Sequence, residues 1–273
     1  KTGTCWSFAT NSFLESELLR RGKGSVDLSE MFVVRHIYPQ KALNYVQLHG
    51  KAVFGPGSLS GDLLRTLAER GAVPESIYDG KFIGQSKHNH EEMDAVLTAM
   101  LDAVIANKGK RLSPAWRDAV EGVLDAYIGQ IPESFEYKRK TYTPKTFAES
   151  LGIKTSDYVE LTSFTHHPSG STFALEIPDN WAHNQYRNVS LNELMGTLDN
   201  ALAKGYTVAW DGDVSEKEFS KKEGIAILPL VAWDDKTEDE QKETCKKPEP
   251  EKEVTQALRQ EYFDNYTTTD DHL

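Results

Sequence analysis

The residues with the clearest chemical potential are a cysteine near one end of the chain and a histidine near the other. Cys5 opens an apolar pattern of Trp6, Ala9 and Phe13 at helical spacing, and Arg20-Arg21-Gly22 supplies a cationic last turn and a stop. A cysteine in the first turn of a helix meets unpaired N–H groups and the positive end of the helix macrodipole. Such a setting favours a thiolate, the nucleophilic form. The same residue in a packed core would be inert, and position alone leaves both readings open.

Acyl transfer by a thiolate also requires an imidazole that carries the proton to the leaving amine. Eight histidines compete for that role. His272, preceded by Asp270 and Asp271 at the end of the strand-rich half, is the candidate by position. His88 and His90 precede an amphipathic stretch and read as polar loop residues. His166-His167-Pro168 has no acidic or cysteine partner at zinc-like spacing, and adjacent histidines on a strand point apart, so no metal centre is expected there. Asp211-Gly212-Asp213-Val214-Ser215 begins like a calcium loop but puts Glu216 where the turn requires glycine. Cys245, beside Lys246 and Lys247, reads as an exposed thiol.

The elements that must position these residues divide the chain. Leu59, Leu63 and Leu67 form a helical stripe stopped by Gly71, and the loop ahead of it, Gly55-Pro56-Gly57-Ser58, permits close backbone approach. Met93, Val96, Leu97, Met100, Leu101 and Val104 make a strong amphipathic helix. Two further helices start at Ser113-Pro114, with Trp116, Val120, Val123 and Tyr127 in line, and at Thr143-Pro144, with Phe147 and Leu151. After about residue 157 the vocabulary turns to strands at 173–177, 206–210 and 224–228, interrupted by a helix that Ser190 and Glu193 cap. Residues 234–253 read as a solvated, charged excursion, and Val254, Leu258 and Tyr262 as a short helix. The expected class is α+β, with a helical segment at 1–82, a helical insertion at 83–156 and a mostly antiparallel β-rich part at 157–273.

Composition excludes several functions. The 273 residues hold 31 basic and 42 acidic side chains, a net charge of -11, which argues against a nucleic-acid surface. No apolar run approaches the roughly 18 to 20 residues of a membrane span. Two cysteines make no disulfide framework.

Gly3-Thr4-Cys5-Trp6-Ser7-Phe8-Ala9 resembles the nucleophile segment of papain-like cysteine peptidases. Leu28-Ser29-Glu30, the loop Gly55 to Ser58 and the pair Asp271-His272 fit the same class. Gly71-Ala72-Val73-Pro74, Asn188-Val189-Ser190, Gly205-Tyr206-Thr207-Val208 and, most specifically, Thr255 to Glu261 with Asp264 to His272 resemble the bleomycin hydrolase and aminopeptidase C branch. The resemblance implies a papain-like two-lobed fold, a helical lobe plus an antiparallel β-barrel lobe, with a helical insertion and with its C-terminal strands beyond Leu273.

The resemblance further implies Cys5 as nucleophile, with its backbone N–H in the oxyanion hole, and His272 as general base and acid. Gly57 and Ser58 would pair through their backbone with an extended peptide, and Asp271 would line the cleft. The family's oxyanion Gln would precede Lys1, and the Asn that orients the imidazole would follow Leu273. The implied activity is cysteine-dependent removal of N-terminal residues from peptides, without metal or cofactor, in a homo-oligomer that is hexameric in the family. A cytoplasmic location is expected, with periplasmic or secreted locations left open. The alternative is a catalytically silent scaffold acting as a binding or assembly subunit.

Overall fold

The computed structural model describes residues 2–268 apart from Phe82, Gln85, Lys110, Cys245, Lys247 and Pro248. Asp271 and His272 lie outside the described residues, as does Cys245. The chain forms two compact units: Lys1–Glu160 with Ala174–Tyr186 and Asn200–Ala209, and Leu161–Phe173 with Arg187–Asp199 and Trp210–Leu273. The class is mixed α+β.

The first unit carries α1 (Cys5–Arg20), α2 (Glu30–Gln47), α3 (Ser60–Arg70), α4 (Glu91–Ile105), α5 (Ala115–Ile128), a hairpin of β1 (Phe135–Tyr137) and β2 (Lys140–Tyr142), and α6 (Pro144–Leu151). α2 is its centre, in contact with α1, α3, α4 and α5. Met31, Phe32, Val33, Val34, Ile37, Tyr38 and Ala42 bury it on several sides. That wide burial, which takes in the polar Arg35 and Lys41 as well, leaves no clean amphipathic stripe in the sequence. Pro39 sits inside it without ending it.

The outer helices follow their stripes. Leu59, Leu63 and Leu67 are buried at α3, and Met93, Leu97 and Leu101 at α4. On α5 the buried row is Val120, Leu124 and Ile128. Trp116, Val123 and Tyr127 are only half-buried, so the core-facing stripe lies beside the one expected. Thr143 caps α6 by accepting from the Thr146 N–H at 3.3 Å, and Gly152 ends it at φ 69°, a left-handed position that suits glycine.

The strands depart most from expectation. The second unit pairs β3 (Leu161–Thr162) with β5 (Gln185–Asn188) in parallel, through Leu161 with Arg187 and Thr162 with Asn188. The sheet order is β3-β5-β4, where β4 is Thr172–Ala174. After α7 (Leu191–Ala203) comes an antiparallel hairpin, β6 (Phe219–Ser220) with β7 (Ile225–Ala226). Among the described residues no sheet exceeds three strands, and no barrel closes. Residues 206–210 form no strand. β-branched and aromatic side chains favour a strand only where a neighbour supplies the ladder, and here Val208 and Trp210 are exposed.

The charged stretch 234–253 is folded rather than loose. It contains α8 (Glu238–Glu243), capped by Thr237, and Lys236 is buried with its ammonium 2.9 Å from Glu249. The chain then pairs back on itself, with Lys252 N–H donating to Leu228 at 2.8 Å and Leu230 N–H to Pro250 at 3.0 Å.

α9 (Gln256–Asp264) gives the segment of most specific resemblance a structural role. Gln256 Oε1 accepts from Leu191 N–H at 2.7 Å, Gln260 Oε1 from Thr165 N–H at 2.6 Å, and Arg259 Nε donates to Ser163 O at 2.8 Å. Asn188, fully buried, accepts from Phe164 N–H at 3.0 Å and donates to the carbonyls of Phe164 and His167 at 2.9 and 2.8 Å. These side chains satisfy buried backbone groups that no sheet partner reaches. The docked helix ends at Asp264, a few residues ahead of His272 in the chain.

One charge cluster ties α2 to α5. Arg35 is buried and bonds Glu121 at 2.5 Å and Asp125 at 2.6 Å, both acids being partly exposed. Removing the acids strands a buried cation, whereas removing the arginine leaves carboxylates that water can reach. The pair Glu121→Ala/Asp125→Ala is expected to cost about 3 kcal/mol and lower the melting temperature by roughly 6–12 °C. Arg35→Met should cost less than half as much. Thermal melts of the two variants check the order.

Candidate functional site

Cys5 is the first residue of α1 and is exposed. Thr4 O accepts from Ser7 N–H at 3.0 Å, so the helix begins at the cysteine, and the N–H groups of Cys5 and Trp6 precede the first intrahelical bond. The flanking residues anchor it. Trp6 is 1% exposed, and its indole N–H donates to Pro56 O at 2.9 Å. Gly3, at φ 62°, lies against the Pro56 ring so closely that a β-carbon there would collide with it. One turn on, Ser7 Oγ donates to Glu30 O at 3.0 Å, and Thr10 Oγ1 lies 2.8 Å from Ser60 Oγ. The loop expected to hold peptide backbone therefore runs beside the cysteine, held there by residues on both sides of it.

Below that loop is a polar cluster. Ser58 is fully buried, its hydroxyl donating to Asp62 and accepting from Trp181 Nε1 at 2.9 Å, so its side chain is committed to the cluster. Asp62, itself fully buried, also pairs with Arg65 at 2.7 Å, and the Arg65 guanidinium lies 5.3 Å from the Trp181 ring centre. Gly57 O accepts from the ammonium of Lys41, and the Asp179 carboxylate occupies the space a Gly57 side chain would need. Lys41 is 3% exposed. Burial pulls its pKa down to about 8 against the opposing pull of Asp179, Asp62 and Asp94. Burial likewise raises Glu160 to about 7, with Asp62 adding to the effect and the Gly61 N–H opposing it.

The histidines are placed differently from their sequence reading. His90 is the N-cap residue of α4 and only 3% exposed. Burial holds its pKa at about 4, so it is a neutral core imidazole rather than a polar loop residue. The edge of His88 meets Phe8, one turn beyond Cys5, at 6.2 Å. His166 and His167 occupy a bend rather than a strand, so their rings do not point apart and lie 4.6 Å centre to centre. His167 stacks on Phe173 at 4.1 Å, and His166 lies parallel to Phe263 at 5.7 Å with Nδ1 3.2 Å from Gln260 Oε1. Asp213 accepts from Ser215 N–H and Oγ at 2.8 and 2.7 Å, a local turn.

Lys41 and Asp179 carry no signal in the sequence. One lies on a helix without a stripe and the other on a loop 138 positions away, and the fold alone joins them at Gly57.

No protein-family model matches the chain. No curated protein matches it either. The fold is known. A solved structure, the crystal structure of PepW from Lactobacillus rhamnosis HN001, aligns with a TM-score of 0.70 over 99% of this chain and 67% of PepW, at 16% sequence identity. At that identity the likeness establishes shared architecture and leaves the chemistry to the residues. Among the described residues no helix is long and apolar enough to cross a membrane.

Glu160 gives the polar cluster a pH signature. With a pKa of about 7 in the fold against an ordinary value of 4.5, it loses stability for the protein as pH rises from about 4.5 through about 7. Glu160→Gln keeps the acceptor for Gly61 and removes the charge. At about pH 8 the variant is expected to be more stable than the parent by about 1–2 kcal/mol, and at about pH 5 equal to it. An advantage of the same size at both pH values, read from thermal melts, would refute this account of the cluster.

Proposed function

We propose that this chain is the greater part of a papain-like cysteine peptidase of the bleomycin hydrolase and aminopeptidase C kind, acting as an aminopeptidase. The observation that carries the reading is the exposed Cys5 at the first position of α1, with Trp6 and Gly3 holding the Gly55 to Ser58 loop beside it. The fold shared with PepW supports it. The family's two-lobed plan, its hexamer and a cytoplasmic location belong to the same proposal.

In this mechanism the Cys5 thiolate attacks the carbonyl carbon of the first peptide bond. The carbonyl oxygen takes the negative charge, and the Cys5 backbone N–H, free at the helix start, donates to it. One such donor contributes about 3–4 kcal/mol in comparable sites. His272 gives its proton to the leaving amine, the C–N bond breaks, and a thioester remains on Cys5. Water, deprotonated by His272, then releases the first residue as a free acid. The backbone of Gly57 and Ser58 would hold the substrate chain and Asp271 would line the same cleft. Neither a metal nor a cofactor takes part in these steps.

The test uses fluorogenic aminoacyl amides with free and with blocked N-termini. The complete protein is expected to turn over the free form at least a hundredfold faster. Cys5→Ala should remove the activity while leaving the melting temperature within a few degrees. Turnover that survives Cys5→Ala would sink the peptidase assignment. Equal turnover of blocked substrates would sink the aminopeptidase part of it, and a folded protein inert to both would favour the scaffold reading.

A further inference from the structure

We propose that Lys41 is a positioning residue of the peptide cleft, its buried ammonium fixing the backbone of Gly57 beside Cys5 while the Asp179 carboxylate closes the opposite side. This inference rests on the peptidase reading above.

Lysine is almost never fully buried unless it is paired, and Lys41 lies on the central helix at 3% exposure. A buried ammonium must be balanced by acceptors and counter-charge, or it destabilises the fold by several kcal/mol. The acceptor is the carbonyl of Gly57. The counter-charge comes from three elements: Asp62 on α3, which also serves Arg65; Asp94 on α4, which accepts from Tyr38 Oη at 2.5 Å; and Asp179 on the segment 174–186. Of these, Asp179 exerts the largest pull on Lys41. It also stands over Gly57, where any side chain at that position would strike it.

Gly57 is thus gripped twice, at its carbonyl by a cation and at its α-carbon by the anion that balances that cation. Removing the cation releases the carbonyl and takes away positive charge that offsets the Asp179 carboxylate against the same residue. Gly57 itself has no side chain to hold its path, so its conformation depends on contacts made to its backbone. Its neighbour Pro56 is already tied to Trp6 and Gly3, so a change at Gly57 is felt one residue from the anchor beside the nucleophile. A pKa of about 8 for Lys41 means that the grip weakens within an accessible pH range. The sign is fixed: below about 8 the ammonium holds Gly57, and above it the grip is lost.

The test compares two reagents with the same reacting group, an aminoacyl chloromethyl ketone with a free amino group and chloroacetone. Both alkylate Cys5 by displacing chloride, but only the first needs the cleft, so the ratio of their second-order rates cancels thiol reactivity. In the parent protein the ratio is expected to be large at about pH 6.5, where the reagent's amine and Lys41 are both protonated, and its fall above about pH 8 is read against the variant, because the reagent's own amine loses its proton in the same range. In Lys41→Met it should be at least tenfold lower at about pH 6.5 and fall less steeply with pH than in the parent, while the chloroacetone rate stays within twofold. A merely structural role would lower the melting temperature and move both rates together. If Lys41→Met keeps the parent's ratio at about pH 6.5, the positioning role is wrong and the peptidase reading stands. If the parent itself shows no preference for the aminoacyl reagent, the peptidase reading fails and this inference fails with it. Should Lys41→Met not fold, Lys41→Gln takes its place in the same comparison at about pH 6.5, with the same outcomes.

Discussion

The hydrogen bond from the Trp6 indole to Pro56 O joins residues fifty positions apart and sets what can happen at Cys5. A reactive cysteine must be reachable by substrate, which forbids burying it, yet it must not wander, which ordinarily requires burial. The chain resolves this by burying the neighbours. Trp6 is sunk in the core, Ser7 is bonded to the start of α2, Gly3 is pressed against Pro56, and Cys5 is left at the surface as the first residue of a helix. The rest of the first unit supports that contact: α2 supplies the floor, and α3 begins where the loop ends.

Buried charge does much of this holding, and its cost is visible. Lys41, Asp62 and Arg35 are all removed from water, each with specific partners, and Glu160 is pushed up to about 7 by the same surroundings. An apolar core could give comparable stability. What polar pairing adds is a fixed path for a short glycine-containing loop, because an ammonium that must find its carbonyl admits few alternatives. On the positioning role proposed for Lys41, that constraint would make the loop sensitive to pH and to substitution at a residue far from Cys5 in sequence.

Much of the helical framework was legible from local signals. Thr143-Pro144, Ser190 with Glu193, and the leucine stripe of α3 each encode a start, a stop or a buried face within one helix. α2 was hidden because its buried surface is wide and includes Arg35 and Lys41, so that its polar row of His36, Gln40, Asn44 and Gln47 gives little contrast. Residues 206–210 have the composition of a strand without forming one, since a ladder needs a partner that composition cannot report. The order Cys5, then Gly55 to Ser58, was readable as a candidate site, whereas Lys41 and Asp179 were not, because their meeting is a property of packed elements. The resemblance at Thr255 to Asp264 turned out to concern architecture as well: Gln256, Arg259 and Gln260 tie α9 to the chain around Ser163 and Leu191.

The central claim is that Cys5 carries the acyl group. Its most direct measurement is an acid quench during turnover of a slowly hydrolysed aminoacyl ester, followed by intact mass and peptide mapping of the complete protein. A stoichiometric thioester on the peptide holding Cys5, absent in Cys5→Ala and released by hydroxylamine, is the expected result. Turnover of the ester with no adduct on Cys5, or an adduct at another residue, would contradict it.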